Sequence, residues 1–336
     1  MRIMGRPRGL IAVLAGALLL SGCGAGPSQV GAAVIIGDRS ASVDQVQSLI
    51  DKAVREQPYA QQLARQHKLD LVGREVVRQL VVHELIGKAA KQEGLTVDET
   101  QLAKDLQDDQ LSRPVPVELA QQSPATAVSL VVNSARDHRE ALTDQLLLRQ
   151  LGAKYLPKLA VTLDFALPVP DSAAAPDPAA VRAQAISTAK QFAADPRAAS
   201  EMIKREQKNP NASVGTRTFA AVQTPAAASK VYFGLPVGGV AAFQDSPKDP
   251  TSWVVVLVRE RSDNKPVAVD QSSEPNAAQL VALGRRMLEP YLSLEDLRVN
   301  PRYGVWDVVA MDLAPTEAAT QGVVLLPNSA ARAKQQ

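Results

Sequence analysis

The chain has 336 residues, with 37 Lys and Arg against 35 Asp and Glu, three His and a single Cys. One cysteine excludes an internal disulfide, a thiolate zinc site and an iron–sulfur cluster, and the near-balance of charge leaves no basic footprint for nucleic acid. Five Phe, two Trp and five Tyr provide few stacking platforms for bases or sugars.

Arg2, Arg6 and Arg8 precede an apolar run over residues 10–20 that is too short and wrongly flanked for a stable membrane span. Residues 1–22 therefore read as a secretory signal. Leu20-Ser21-Gly22-Cys23 matches the bacterial lipobox, which predicts cleavage before Cys23, a diacylglyceryl group on its sulfur and acylation of the new amino terminus. Acyl chains contribute about 0.8 kcal/mol per buried CH₂, enough to hold the body firmly on a bilayer. The expectation is an extracytoplasmic protein, lipid-anchored to the bacterial cell membrane. Cofactors recycled in the cytosol do not suit that location, and no cofactor or metal is expected. The three arginines leave with the signal, so the mature body is near neutral and long enough for two domains.

Residues 23–31 read as a tether and 32–36 as a strand ending in the turn Gly37-Asp38. Ser42 is a good cap for a helix with Val43, Val46, Leu49, Ile50, Ala53 and Val54 along one face, and Pro58 marks its end. The polar stretch 61–68 leads to a longer helix over 69–93, apolar on more than one face and stopped by Gly94. Thr96-Val97-Asp98-Glu99 reads as a capping box for another helix, and a fourth is expected over 134–156. Residues 161–167 look like a strand, 168–178 a proline-rich connector, and 181–194 and 196–207 two helices. Residues 231–240 and 253–258 read as strands, the second buried on both faces. A helix over 277–289 and a last ordered feature over 297–307 follow, with 313–336 expected as a tail interrupted only by the apolar run 323–326.

The opening strand, the capped helix and the long helix ending in Lys91-Gln92-Glu93-Gly94-Leu95-Thr96-Val97 resemble the N-terminal domain of the SurA type of extracytoplasmic chaperone. Residues 298–307, Arg-Val-Asn-Pro-Arg-Tyr-Gly-Val-Trp-Asp, are also similar to that family, where a late helix and strand complete the N-terminal lobe. The middle segment is similar to the second half of a parvulin-type prolyl isomerase over residues 224–240 and 253–259. Its first half departs: Leu163-Asp164-Phe165-Ala166-Leu167 replaces the usual His-Ile-Leu motif, and Ala212-Ser213-Val214-Gly215 the glycine pair. The resemblance implies an α+β fold in which a mainly helical lobe, 32–160 completed by 266–312, carries a degenerate parvulin-like domain at 161–265.

His67, His83 and His138 all lie in the helical part, so a parvulin site of facing histidines cannot be assembled from 161–265. Asp164 stands where the first histidine is expected, and Tyr232 and Phe233 offer only apolar walls. Ser187-Thr188-Ala189-Lys190 and Ser262-Asp263-Asn264 match two motifs of penicillin-binding enzymes, but the third is absent and Ser187 falls mid-helix, so both read as surface features. His83 continues an apolar helix line and reads as a core histidine with a hydrogen-bond partner, and Asp105, Asp108 and Asp109 as a solvated face. The reading is a chaperone-like lipoprotein that binds unfolded or newly exported polypeptides without ATP, with Cys23 as its one modification site and no catalytic residue. The alternatives are an active prolyl isomerase with an atypical site, or an envelope scaffold with one defined partner.

Overall fold

In the computed structural model, which describes residues 31–168, 177–246, 248–268 and 274–327, the chain opens with a hairpin whose turn calls for glycine. β1 (Ala32–Ile36) pairs antiparallel with β2 (Arg39–Ser42) around Gly37, which sits at φ +63° in the left-handed region. Ser42 starts α1 (Val43–Glu56): its hydroxyl accepts from the Gln45 amide at 3.0 Å, and the helix buries Val46, Ile50 and Ala53. Pro58 does more than end α1. It opens α2 (Pro58–Arg65), since a first-turn proline lacks only an amide that the helix would leave unused, and the stretch 61–68 is thus largely helical. α3 (Leu69–Glu93) buries Val72 and Val76 along one line and Val77, Val81 and Leu85 along the next, then stops at Gly94, φ +65°.

α4 (Glu99–Asp108) starts two residues later than a Thr96 box predicts, because the Asp98 carboxylate is the group that accepts the Gln101 amide, at 3.0 Å. α5 (Val117–Gln122), α6 (Pro124–Ala135) and α7 (His138–Tyr155) follow. The helix expected over 134–156 is α7, which starts four residues later, whereas α5 and α6 were not expected. Arg136 takes an extended conformation between α6 and α7, and Asp137 accepts the Glu140 amide at 2.9 Å to cap α7.

β3 (Ala160–Ala166) leads to α8 (Pro178–Ala194), α9 (Pro196–Glu206), β4 (Val214–Ala220), β5 (Val240–Gln244) and β6 (Trp253–Ser262). α10 (Ala277–Arg286), β7 (Leu297–Val299), β8 (Val305–Asp307), β9 (Asp312–Ala314) and β10 (Gly322–Leu325) close the described chain. The fold is α+β with antiparallel sheets, and at 53% helix against 18% strand it is mainly helical. Five strands form one sheet in the order β10-β5-β6-β3-β4. α8 and α9 cover one face, where Ala185, Phe192 and Ile203 share a core with Val255 and Leu257; Val256 and Val258 on the other face join the main core. β6 is therefore buried on both sides, as its unbroken apolar run predicts.

Two expectations are corrected in this region. Residues 231–233 form a 3₁₀ turn and not a strand, and Gly238 at φ +81° delays extended structure until Val240. Nor are all residues beyond Leu313 a tail: β10 pairs with β5 from Gly322↔Phe243 to Leu325↔Val240. Val323 and Leu325 pack on one core and Val324 on the other, so the strand covers an otherwise open sheet edge.

The C-terminal segment returns to the N-terminal helices and strand. β7 pairs antiparallel with β1, Val34↔Val299 to Ile36↔Leu297. Glu93 at the end of α3 accepts hydroxyl bonds from Tyr155 at 2.7 Å and from Tyr291 at 2.6 Å. α10 lies against α7 closely enough that a Cβ at Gly284 would fall inside contact distance of the Leu148 carbonyl oxygen, and one at Gly152 inside that of Leu280. Glycine is required at both positions by the approach of two backbones.

Candidate functional site

Asp164, at the place of the expected first histidine, is fully buried on β3 and already taken up. Its Oδ2 accepts from the Ser200 hydroxyl and its Oδ1 from the Thr216 hydroxyl, each at 2.6 Å, with the Arg259 Nη1 at 3.5 Å. The carboxylate ties α9, β4 and β6 to β3, as a buried polar group must be tied, and has no reach into a substrate. A cavity of about 840 Å³ opens nearby between Pro196, Ser200, Val237 and Arg259, but no His or Cys lines it. Tyr232 and Phe233 are not walls of that space. They are buried in an aromatic cluster with Phe219 and Phe243, at centroid distances of 4.9 to 6.4 Å, and burial pushes the Tyr232 hydroxyl up to about 12. Gly215 pairs with Phe165 across β4 and β3, where a Cβ would meet the Phe165 ring. Ser187 is exposed in mid-α8 and Ser262 exposed at the end of β6; neither lines a described cavity.

His83 is not a core histidine. Its side chain is 37% exposed, and Nδ1 lies 2.9 Å from Asp144 Oδ1. α7 meets the ring at both nitrogens, with Asp144 at Nδ1 and Glu140 Oε2 3.9 Å from Nε2, and the ring stays partly open. Its hydrogen bond to Asp144 raises its pKa above the ordinary 6.5, outweighing the opposing effect of burial. Arg136 donates to Asp144 at 2.6 Å and Glu140 at 2.5 Å, and to Gln79 at 3.2 Å. Gln79 in turn donates to Glu75 at 2.8 Å. Burial alone would raise the Glu75 carboxyl, but Arg78 beside it holds it below its usual range. His83, Glu140 and Asp144 could bring one ligand atom each within 4.8 Å of one another. Arg136 engages one oxygen of each carboxylate and His83 faces the other, so the cluster is an ion-pair network joining α3, α6 and α7. Asp108 and Asp109 are exposed as expected, whereas Asp105 is half-buried and accepts from Gln101 at 2.6 Å.

Beside this network a groove of about 430 Å³ runs between α3, α6, α7 and α10. Val82, Leu130, Leu142 and Val281 give it an apolar side, and Arg78, Arg136, Arg149 and Arg285 a cationic one. Arg78 is held by Glu75 and Arg136 by Asp144 and Glu140. Arg149 and Arg285 make no hydrogen bond and no ion pair among the described residues, and the buried Nε of Arg285 has no acceptor. Burial, with repulsion from Arg78 opposed by the through-space attraction of Glu75 and Asp312, brings the Arg285 pKa down to about 10. Sequence reasoning missed both arginines. The available signal was the Arg285-Arg286 pair in the last turn of a helix whose Leu283, Met287 and Leu288 are all apolar.

Cys23 and the signal over 1–22 lie outside the described residues. Among the described residues no helix is long and apolar enough to cross a membrane. No protein family matches the chain, and neither a curated protein nor a solved structure does.

Proposed function

We propose that the protein is a lipid-anchored, ATP-independent chaperone of the SurA type, which holds unfolded or newly exported polypeptides in the groove of its helical lobe. The observation that carries this reading is the groove, with apolar and cationic sides built by helices from both ends of the chain. Burial of apolar client surface is non-directional, at about 25 cal/mol per Å², so such a groove suits segments of varied sequence. The pairing of β7 with β1 and the close packing of α10 on α7 support a lobe completed by the C-terminal segment. The strand order around β3 is compatible with a degenerate parvulin-like domain, and the engagement of Asp164 by Ser200 and Thr216 favours a supporting role for it over turnover. X-Pro rotation has a barrier of roughly 18–20 kcal/mol, and lowering it takes groups that weaken amide resonance, which neither Asp164 nor the buried Tyr232 supplies.

The test compares two assays on the purified mature protein. Aggregation of a denatured client should be suppressed at near-stoichiometric ratios without ATP, while proline-peptide isomerisation stays at its uncatalysed rate. A clear isomerase rate that disappears on mutating residues within 161–260, or no suppression of aggregation, would overturn the proposal.

A further inference from the structure

Arg149 and Arg285 each follow by one residue the pair Leu148 and Gly284, at which the backbones of α7 and α10 touch. The two guanidinium-bearing positions therefore flank a single helix crossing and line the same groove. Every other arginine of that groove has a carboxylate: Arg78 has Glu75, and Arg136 has Asp144 and Glu140. These two make no ion pair or hydrogen bond among the described residues; Glu75 and Asp312 act on Arg285 only through space, and its Nε, like that of Arg136, is buried with no acceptor. A buried donor without a partner is costly, and a guanidinium fork matches a carboxylate in geometry and charge. The apolar side formed by Val82, Leu130 and Val281 lies in the same cavity, so the complementary ligand carries apolar groups beside its anion.

We infer that the groove selects polypeptide segments in which an Asp or Glu side chain is flanked by apolar residues, the carboxylate being received by Arg149 and Arg285. This rests on the chaperone reading and names its client class. The flanking side chains cover Val82, Leu130 and Val281, while the carboxylate completes the hydrogen bonding of the two arginines. Arg285, whose charge is disfavoured by its surroundings, gains most from the anion.

The experiment measures fluorescence anisotropy of the full mature protein with two labelled decapeptides, both Leu- and Val-rich, one with a central Glu and its twin with Gln. The Glu peptide is expected to bind about tenfold tighter, as the loss of one charge-assisted hydrogen bond predicts. Arg149→Gln and Arg285→Gln should each reduce that preference. Arg149 is only half-buried, so its variant keeps the test intact even where Arg285→Gln perturbs folding. Equal affinity for the twins, or an undiminished preference in Arg149→Gln, overturns the inference and leaves the chaperone reading standing. Displacement of the Glu peptide by millimolar inorganic phosphate also overturns it, by revealing a general anion site. Failure of both peptides to bind, together with no suppression of client aggregation, overturns inference and chaperone reading alike.

Discussion

Replacing Gly284 by Ala sets two opposed effects against each other, and the structure decides between them. Alanine is favoured over glycine in a helix interior by about 1 kcal/mol, so propensity alone predicts a more stable protein. The added Cβ, however, would meet three backbone atoms of Leu148, its oxygen, carbonyl carbon and Cα, none of which can rotate away as a side-chain tip can. α7 and α10 must then part, loosening the packing around Leu151, Leu283 and Leu288, all buried to 1% exposure or less. Overpacking of this kind costs about 1–3 kcal/mol, occasionally more, so we predict a net destabilisation of up to about 2 kcal/mol. Gly87→Ala on α3 is the control, because a Cβ there meets nothing within 4 Å, and it should stabilise by up to about 1 kcal/mol. Urea unfolding followed by circular dichroism compares the two midpoints. If Gly284→Ala proves as stable as Gly87→Ala, the C-terminal helix does not pack on α7 as described and the two-ended lobe is refuted.

Three further predictions concern single side chains. His83 has a folded pKa raised above 6.5 by Asp144, so its contribution to stability is fully present below pH 6.5 and is lost as pH rises through the raised value. The urea midpoint should accordingly fall as pH rises above 6.5, and His83→Gln should flatten that decline; an unchanged slope in the variant would exclude His83 as its source. Asp164→Ala leaves the Ser200 and Thr216 hydroxyls without their acceptor and should cost about 2–4 kcal/mol, and Asp164→His should destabilise the sheet without creating isomerase activity. A stable, active Asp164→His variant would show that the site lacks only its histidine. Cys23→Ser should abolish labelling with palmitate and release the body from the membrane fraction, and normal labelling of the variant would remove the basis for an anchor.

Helix α1 and strand β6 were legible because their signals are local: Ser42 precedes a three-and-four apolar spacing, and residues 253–258 are apolar without interruption. α3 was legible at its end as well, since Gly94 takes the left-handed conformation that a helix stop uses. α6 was not, because it opens at Pro124, a residue type that marks a break as readily as a first turn, and the start of α7 reads four residues early because Asp137 becomes a cap only through its bond to the Glu140 amide. The apolar run 323–326 stands out in the sequence, but its role as β10 does not, for a different reason. Four residues carry little periodicity, and their strand character depends on β5, some eighty residues earlier in the chain. His83 continues an apolar line, but the line does not say how far its neighbour covers it; α7 presents Asp144 and Glu140 to the ring and leaves the rest open. Arg149 and Arg285 were missed on the same ground, since one groove receives them only after α10 has folded back against α7.

The claim that client chains occupy the groove is tested most directly by crosslinking from within it. A photoreactive phenylalanine analogue placed at Asn133, on the groove wall, is compared with the same group at Lys88, on an exposed part of α3. On irradiation with a denatured client of known sequence, Asn133 should give covalent adducts that a competing apolar peptide suppresses, and Lys88 should give few. Adducts from Lys88 and none from Asn133, in a protein that still prevents client aggregation, would contradict the account by placing the client elsewhere.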